Sequence, residues 1–436
     1  EGESTFLELC ERIDAGQSVA GLAGAAYRNG GRIERGPERP RLRDLDALVP
    51  PHRYFDTHLL LTARGCPGRC TFCAKGAVWG HLYRTQSVEH VLDTIEEALA
   101  RLPVRMLLVK DDTFTADRKR GLAICEGIRK RRLRFLWSCD TRADAVDDDL
   151  LRAMRLAGCQ RLSLGVESGS AEVLRNIAKN VTPDAILAST AAAKRFGLQV
   201  RYYMMLGNRG ETAATFRESL ALLKKAVPHQ ALFACLSIYP GTQDFHDLEQ
   251  AGALDRHEYF ADDFLELKTP YDASEEDTAI MSEWFEHNAG LRELYVESVA
   301  DCRGILNRLG EHHAAHLDLA AAHYRAGEMA SCETHARRAL ELGFPAPGLV
   351  HNLLACVAAA RRDPLSLERE LGLAAHDPQH PVVARNTAMV SAWRASGGDA
   401  TTLPTTLSAR HDFQLLERSQ QPMLPGPLPD DCHRWS

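Results

Sequence analysis

Short apolar runs alternate with helix-length amphipathic stretches between about residues 56 and 250, and this alternation restricts the fold more than any other feature of the sequence. Parallel strands need crossover connections, which helices of about 10 to 15 residues supply. Six right-handed units of this kind are expected to curl into a partial (β/α)6 barrel, similar to part of a TIM barrel. The predicted strands are residues 58–62, 105–109, 134–138, 161–164, 199–205 and 231–238.

The strand signal fades beyond about residue 270, and the rest of the sequence predicts successive helices. Similar helical stretches contain Leu319 and Leu353, which lie 34 residues apart, and Gly327 falls in the predicted turn. This period resembles that of tetratricopeptide (TPR) repeats, and a plain helical bundle is the alternative. We therefore predict an α/β barrel followed by an all-α region. The predicted units are a linker segment (1–50), the barrel (51–270), a helical connector (271–310), TPR-like helical repeats (311–400) and an irregular tail (401–436).

Composition and charge restrict the partners. Lys and Arg total 52 against 59 Asp and Glu, a net charge of -7, so nothing favours nucleic acid. No apolar stretch is long enough to span a membrane and no secretory leader is present, so we expect a cytoplasmic protein. Nine of the twelve cysteines are scattered singly, as reduced buried thiols usually are.

The other three cysteines, Cys66, Cys70 and Cys73, form a cluster directly after the first predicted strand. About 0.01 such triplets are expected by chance in a chain of this composition. Loops at the carboxyl ends of parallel strands converge on one mouth, so we expect these thiols to face the site. Three thiolates leave one iron of a four-iron cluster open, as catalytic metal sites do. The alternatives are a structural zinc site with His58 or His81 as fourth ligand, or unliganded buried thiols.

The run RGCPGRCTFC at residues 64–73 resembles the signature C-x3-C-x-aromatic-C of the radical S-adenosylmethionine (SAM) superfamily, and the resemblance covers about residues 55–250. It implies that Cys66, Cys70 and Cys73 ligate a [4Fe-4S] cluster. It also implies an enzyme in which an electron from the reduced cluster cleaves SAM to a 5'-deoxyadenosyl radical, which abstracts hydrogen from an unreactive carbon. The electron donor is then expected to be a protein of flavodoxin or ferredoxin type.

The same resemblance implies further cofactor-binding residues. Phe72 would pack by the adenine, Arg142 would bind the methionine carboxylate through its forked donors, and Glu167 is the best carboxylate for SAM. Considered without the resemblance, Arg142 forms a surface ion pair and Glu167 caps the following helix. The remaining predicted residues are Asp111 and Asp112 (for the methionine amino group, or else solvated charge or helix caps), Ser138, Asp140, Ser168, Tyr203, Met205, Tyr239, Pro240 and Gly241.

Residues 1–50 resemble the link that joins a cobalamin-binding domain to the barrel in cobalamin-binding radical SAM enzymes. The sequence contains no D-x-H-x-x-G motif and begins at Glu1, so we expect the cobalamin domain to precede this chain. The predicted reaction is a cobalamin-dependent methyl transfer to a small-molecule, lipid or peptide substrate. The alternatives are a cobalamin-independent oxidoreductase, a peptide-modifying enzyme, and a TPR-like protein-binding module with a structural metal site. The C-terminal helices are the expected surface for a protein partner.

Overall fold

The N-terminal segment wraps against the start of the barrel. A computed structural model describes residues 1–55, 57–101, 106–259, 295–375, 380–398, 401–404, 407–409 and 411. The segment contains helix α1 (Glu3–Asp14) and the predicted antiparallel hairpin of β1 (Ala26–Asn29) and β2 (Arg32–Arg35). The Glu1 carboxylate lies 2.5 Å from Arg84 and accepts a hydrogen bond from the Leu42 amide, which ties the chain start to the barrel.

Strands and helices then alternate as predicted. In chain order the elements are β3 (Leu59–Leu60), β4 (Ala63–Arg64), α2 (Lys75–Trp79), β5 (Arg84–Thr85), α3 (Val88–Arg101), β6 (Met106–Val109), α4 (Arg118–Lys130), β7 (Leu136–Thr141), α5 (Asp148–Leu156), β8 (Cys159–Glu167), α6 (Ala171–Asn176), α7 (Pro183–Arg195), β9 (Gln199–Leu206), α8 (Ala213–Ala226), β10 (Gln230–Cys235), α9 (Gln243–Gln250) and α10 (Arg256–Tyr259). Local signals explain the helix ends: Thr182 caps α7 through the Ala185 amide at 3.2 Å.

Six parallel strands form one sheet in the order β10-β9-β8-β7-β6-β3, which is the order of the chain. This arrangement confirms the predicted α/β partial barrel. One face of the sheet, including Leu107, Val109, Leu162 and Leu164, packs against the surrounding helices in a large apolar core. The short strands β4 and β5 pair separately and antiparallel, beside the open edge at β3.

Two strands extend further than the sequence predicts. The third strand of the sheet was expected to end at Ser138 but continues to Thr141, and the fourth was expected to end at residue 164 but continues to Glu167. Both extensions contain polar residues, which strand propensity disfavours and which pairing with the neighbouring strands overrides. Ser138 therefore lies within the strand and not at its end.

Every second C-terminal helix, beginning with the one at His313, recurs with a constant period. They are α11 (Val299–Leu309), α12 (His313–Arg325), α13 (Met329–Glu341), α14 (Pro347–Ala360), α15 (Pro364–Ala374) and α16 (Pro381–Ala395). Helices α12, α14 and α16 begin 34 residues apart. Each is followed by a turn with one residue in the left-handed region, at Gly327, Arg362 and Gly397. The helical region and its period agree with the sequence, while the assignment to the TPR family stays a prediction.

The helical region shares a core with the barrel. Met106, Leu108 and Leu136, on the opposite face of β6 and β7 from the main core, pack in one cluster with Ala314 and Leu317 of α12. The predicted repeats (311–400) therefore share buried residues with the barrel, while the predicted domain limits stay a prediction. Deleting the helices would expose these strand residues to water.

Several expectations concern residues that are described only in part. Of the predicted connector, residues 295–310 are described and contain α11, while residues 271–294 lie outside the described residues. Of the predicted tail, the described residues are in neither helix nor strand, and residues 412–436 lie outside them. Among the described residues, no cysteine forms a disulfide and no helix is long and apolar enough to cross a membrane.

Candidate active site

The three cysteines line one cavity of about 220 Å³ at the carboxyl end of the sheet. Their loop leaves β4 through Gly65, whose φ is +88° and whose Cβ, if present, would lie 2.0 Å from the carbonyl oxygen of Leu82. Only glycine fits this turn. The Gly68 amide donates a hydrogen bond to Cys66 Sγ at 3.3 Å, and the Thr113 hydroxyl lies 3.3 Å from the same sulfur. The loop is thus shaped around the sulfur atoms.

Two aspartates that follow β6 hold this loop in place. The Asp111 carboxylate accepts hydrogen bonds from the amides of Thr62 and Ala63, at 2.6 and 2.9 Å, and from the Thr62 hydroxyl. Burial raises the pKa of Asp111, and these hydrogen bonds oppose that shift. Its oxygens are committed to the backbone and it does not line the cavity, so the predicted contact with the methionine amino group does not fit its position.

Asp112, in contrast, does line the cavity. It accepts a hydrogen bond from the Gly65 amide at 3.0 Å, and its other oxygen lies 2.8 Å from Lys75 Nζ. Neither aspartate caps a helix, because the N-cap of α4 is Asp117. Asp111 therefore fixes the backbone before the cysteine loop. Asp112 joins the start of this loop to helix α2, which follows it.

Glu167 and Lys179 form an ion pair inside the cavity. The register of β8 against β9 shifts between Gly165 and Glu167, and Glu167 has a left-handed φ of +68°. This bulge turns its carboxylate inward, where Lys179 Nζ lies 3.0 Å away. Lys179 is flanked by Ala178 and Asn180, which also have left-handed φ values. This backbone conformation is unfavourable for Glu167 and Ala178, so the surrounding structure enforces the placement of both charges.

Glu167 does not cap the following helix, which was the alternative interpretation. The N-cap residue of α6 is Ser170, and it makes no side-chain capping bond. Ser168 accepts a hydrogen bond from the Ser170 amide at 3.1 Å and lies 3.2 Å from the Ser219 hydroxyl. Ser168 therefore joins two helices and does not reach the cavity.

Arg142 both lines the cavity and forms an ion pair. Its Nε and Nη2 atoms bind Asp144 at 2.9 and 2.8 Å, and Nη2 also donates to the Lys179 carbonyl at 2.8 Å. The predicted ion pair is present, and it fixes the guanidinium against the cysteine loop, where Nη1 lies 3.2 Å from an ideal Cβ on Gly68. Asp140, which also lines the cavity, lies 3.4 Å from Lys110 Nζ.

Positive charge around the cavity acts on the thiols. Burial raises the pKa of Cys70, while Lys179 and Arg142 oppose that shift. Burial likewise raises the pKa of Cys73, opposed by a hydrogen bond and the charge of Lys75. Burial lowers the pKa of Lys179, but the charges of Glu167 and Cys70 reverse the shift and raise it overall. These cations favour the thiolate forms that bind iron.

The remaining predicted residues divide into two groups. Phe72 and Tyr203 line the cavity, whereas Met205 packs with Phe72 against an apolar cluster that includes Phe245. The predicted residues that do not line it are Asp111, Ser138, Ser168, Met205, Tyr239, Pro240 and Gly241. Ser138 lies deeper in its strand, two residues before Asp140. Tyr239, Pro240 and Gly241 lie in the turn before α9.

Several cavity residues were not predicted from the sequence. They include Lys75, Thr113, Ser163 and Lys179. Lys179 is the most important, and no motif marks it, because it reaches Glu167 only through the left-handed turn that follows α6. His81 Nδ1 lies 3.2 Å from the Gly68 carbonyl oxygen, whereas His58, the other candidate zinc ligand, does not line the cavity.

The side chains of the cavity fit the groups that they were predicted to hold. The three thiols share one cavity, but within the described ranges no three His, Cys, Asp or Glu side chains converge closely enough to ligate a single ion. In a four-iron cluster each thiolate binds a different iron, so three separated thiols fit this group. Charged side chains beside the thiols fit a zwitterionic ligand with an amino and a carboxylate group.

Comparison with known proteins points to the same region. Residues 60–223 match the family model of the Radical SAM superfamily. An uncharacterized methyltransferase of Pyrococcus horikoshii is 29% identical over 254 residues, covering 56% of this chain and 55% of that protein. The anaerobic magnesium-protoporphyrin IX monomethyl ester cyclase of Rubrivivax gelatinosus is 28% identical over 268 residues, covering 57% and 48%. The chain thus spans about half the length of these relatives.

A solved structure has the same fold. The radical S-adenosylmethionine methyltransferase TsrM from Kitasatospora setae, with cobalamin and a [4Fe-4S] cluster bound, aligns with a TM-score of 0.51 and 19% identity over 58% of this chain and 55% of that chain. The family match includes the cysteine loop and both members of the Glu167–Lys179 pair. Residues 60–223 of this chain therefore form a radical SAM domain.

Proposed function

We propose that this chain uses a [4Fe-4S] cluster, held by Cys66, Cys70 and Cys73, to cleave SAM reductively and to functionalise an unactivated carbon. The observation that carries the proposal is that the three thiols and a buried ion pair line one cavity within the radical SAM domain. When bound, the reduced cluster supplies the electron for cleavage of the sulfonium. The electron donor is proposed to be a flavodoxin or ferredoxin type protein, and the enzyme to be cytoplasmic.

The side chains of the cavity are assigned roles in binding SAM. Glu167 is proposed to bind the methionine amino group of SAM, and Lys179 and Arg142 are proposed to bind the methionine carboxylate. These assignments follow because the three charged side chains are fixed in position and partly desolvated. Phe72 and Tyr203 offer aromatic surface for the adenine. Asp140 lies at the end of its strand, where it is proposed to bind the ribose hydroxyls. Holding SAM in one orientation and excluding water are the main tasks of these residues.

The reaction at the substrate carbon is proposed to be a cobalamin-dependent methyl transfer. Support comes from relatives that are methyltransferases and from the fold shared with TsrM. A cobalamin-independent radical reaction is the alternative. The cyclase among the relatives supports only that the outcome at the substrate carbon can be something other than methyl transfer. No described residue of this chain is assigned to hold cobalamin. Residues 1–50 are proposed to link the barrel to a cobalamin-binding domain.

The test begins with oxygen-free purification. We expect the protein to contain close to four irons and four sulfides per chain, and to form 5'-deoxyadenosine from SAM with a chemical reductant. Replacing Cys66, Cys70 or Cys73 by Ala should abolish both properties. Cys235→Ala is the matched control, because this thiol is exposed and lies outside the cavity. Protein that contains zinc and forms no 5'-deoxyadenosine would support the binding-module alternative instead.

A second experiment addresses the reaction type. The protein is incubated with SAM labelled in its methyl group, with and without added cobalamin, and candidate small-molecule, lipid and peptide substrates are analysed by mass spectrometry. Label in the product only when cobalamin is present supports the methyl transfer. A modified but unlabelled product formed without cobalamin supports the alternative.

A further inference from the structure

Helices α12, α14 and α16 carry a polar side chain at the same position. Asp318, Asn352 and Asn386 each lie five residues after the start of their helix and are therefore 34 residues apart. They form a row across the array, and Asn386 Nδ2 donates a hydrogen bond to Asn352 Oδ1 at 2.8 Å. Asn352 and Asn386 are at most 1% exposed. Buried amide side chains require hydrogen-bond partners, and two of them contribute little to apolar packing between helices.

The partners come from the main chain of a later segment. Ser408 lies against the row, and its carbonyl oxygen accepts hydrogen bonds from Nδ2 of Asn352 at 3.0 Å and of Asn386 at 2.8 Å. The Ser408 amide donates to Asn386 Oδ1 at 3.0 Å. Asn386 thus binds both main-chain polar groups of one residue, the N–H and the carbonyl of Ser408. These contacts involve no side-chain atom of Ser408, so they would accept most residues at this place.

Side chains on either side of Ser408 add anchors. Leu403 and Leu407 are buried in an apolar cluster with residues of α14, α15 and α16. Further along, His411 Nε2 lies 3.2 Å from Asp318, the first member of the polar row. The segment therefore binds as a peptide ligand binds in a groove: through its backbone, with apolar anchors and one terminal polar contact.

We propose that the groove formed by α12, α14 and α16 is a docking site for a peptide segment of a partner protein, and that Leu403, Leu407, Ser408 and His411 occupy it in the free protein. The ligand is defined by a main-chain contact at the Asn352–Asn386 pair, leucine-like side chains one and five positions before it, and an imidazole or cationic side chain three positions after it. The partner must displace the chain's own segment, which makes docking competitive with an intramolecular ligand.

The groove is separate from the cavity of the cysteines. Asp318 lies 2.6 Å from Arg155, which also binds the Cys159 carbonyl at the start of β8. Glu167 is at the other end of this strand, eight residues or about 26 Å away. A segment docked in the groove therefore brings a partner to the enzyme without itself reaching the cavity. The inference does not depend on the chemistry proposed for that cavity.

The test uses the full chain and a fluorescein-labelled synthetic peptide with the sequence of residues 401–411. Leu407→Asp should release the internal segment, because it places a charge in the apolar cluster. We expect this variant to bind the peptide at least about tenfold more tightly than the unmodified protein, since the tethered competitor is present at an effective concentration in the millimolar range. Fluorescence anisotropy gives both dissociation constants. Leu365→Asp is the matched control, because Leu365 is 79% exposed and lies on α15 outside the cluster.

Peptide variants distinguish main-chain recognition from general adhesion. A peptide N-methylated at the position of Ser408 should lose binding, whereas a peptide with Ser408→Ala should bind like the parent. Asn386→Ala, added to the Leu407→Asp protein, should also abolish binding. The proposal is overturned if the N-methylated peptide binds as well as the parent, or if Leu407→Asp binds no better than Leu365→Asp.

A second measurement, on the unmodified protein, tests the proposal even if the Leu407→Asp variant fails to fold. Hydrogen exchange of the unmodified protein is followed with excess parent peptide and with the N-methylated peptide. Displacement predicts faster exchange of the Ser408 amide with the parent peptide alone. Exchange that does not respond to the parent peptide contradicts the proposal.

Discussion

Lys179 Nζ lies 3.0 Å from Glu167 Oε1, and the two side chains are only 8 and 10% exposed. Both residues belong to segments with left-handed backbone, and a side chain on Gly165 would collide with both charged groups. A buried ion pair adds little to the stability of a fold, because apolar residues of similar size often stabilise the fold as well or better. We therefore expect the pair, which lies beside three thiols, to have a role in binding, and separate measurements of stability and of SAM binding can test this expectation.

Breaking this ion pair should destabilise the protein. Lys179→Met or Glu167→Gln leaves one charge buried without its partner, and we expect each to lower the free energy of unfolding by about 3 to 5 kcal/mol. The double variant should recover much of that loss but should not recover SAM binding. Urea unfolding and equilibrium dialysis of SAM with the reconstituted protein measure the two properties. Single variants as stable as the unmodified protein would show that the pair is hydrated.

Gly165→Ala should impair the site more than the fold. The added Cβ would lie 2.8 Å from Glu167 Oε1 and 2.9 Å from Lys179 Nζ, so the pair must move apart. We expect SAM binding to weaken at least about tenfold, which corresponds to about 1.4 kcal/mol. Gly372→Ala is the control: it lies in α15 with open space around it and should raise stability by about 0.5 to 1 kcal/mol. Unchanged SAM binding by Gly165→Ala would contradict the assignment of the pair.

Asp111 is predicted to be a structural support of the cysteine loop. Asp111→Ala leaves the buried amides of Thr62 and Ala63 without their acceptor, at a cost of about 1 to 3 kcal/mol for each group. Asp111→Asn retains one acceptor oxygen and should be less destabilising. We expect iron content after reconstitution to fall in the order unmodified protein, Asn variant, Ala variant. An Asp111→Ala protein with full iron content and reduced SAM binding would instead support the contact with the methionine amino group.

Acid should destabilise the helical region. Burial and the charges of Arg155 and Arg134 lower the pKa of His313 to about 4, and burial lowers the pKa of His312 well below its usual value. An unfolded chain binds these protons near pH 6.5, so between pH 6.5 and 4 the unfolded state holds more protons and stability falls as pH falls. At pH 5 the expected loss from His313 is about 2 kcal/mol.

The measurement is urea unfolding at pH 7 and pH 5, followed by helical circular dichroism. His313→Gln carries no titrating group and should show a smaller difference between the two pH values. An equal difference in the two proteins would assign the acid sensitivity to other groups.

Local patterns were enough to predict the barrel. Apolar strands separated by capped helices predict parallel pairing, and the sheet has these strands in chain order. The predicted ends at Ser138 and residue 164 were too early, because pairing with neighbouring strands extends both strands across polar residues. Strand ends determine which side chains reach the mouth of the barrel. Because the third strand continues to Thr141, Ser138 lies within the strand and does not line the cavity.

The sequence by itself determined the fold class, the period of the C-terminal helices and the cysteine triplet, because each depends on residues close together in the chain. Only the tertiary structure decided that Lys179 pairs with Glu167, that Asp111 supports the loop and that Ser408 meets Asn352 and Asn386. These contacts join residues brought together by turns and by helix packing, whose geometry no local spacing records. The physical reason is that burial and charge pairing are properties of the assembled cavity and not of any single segment.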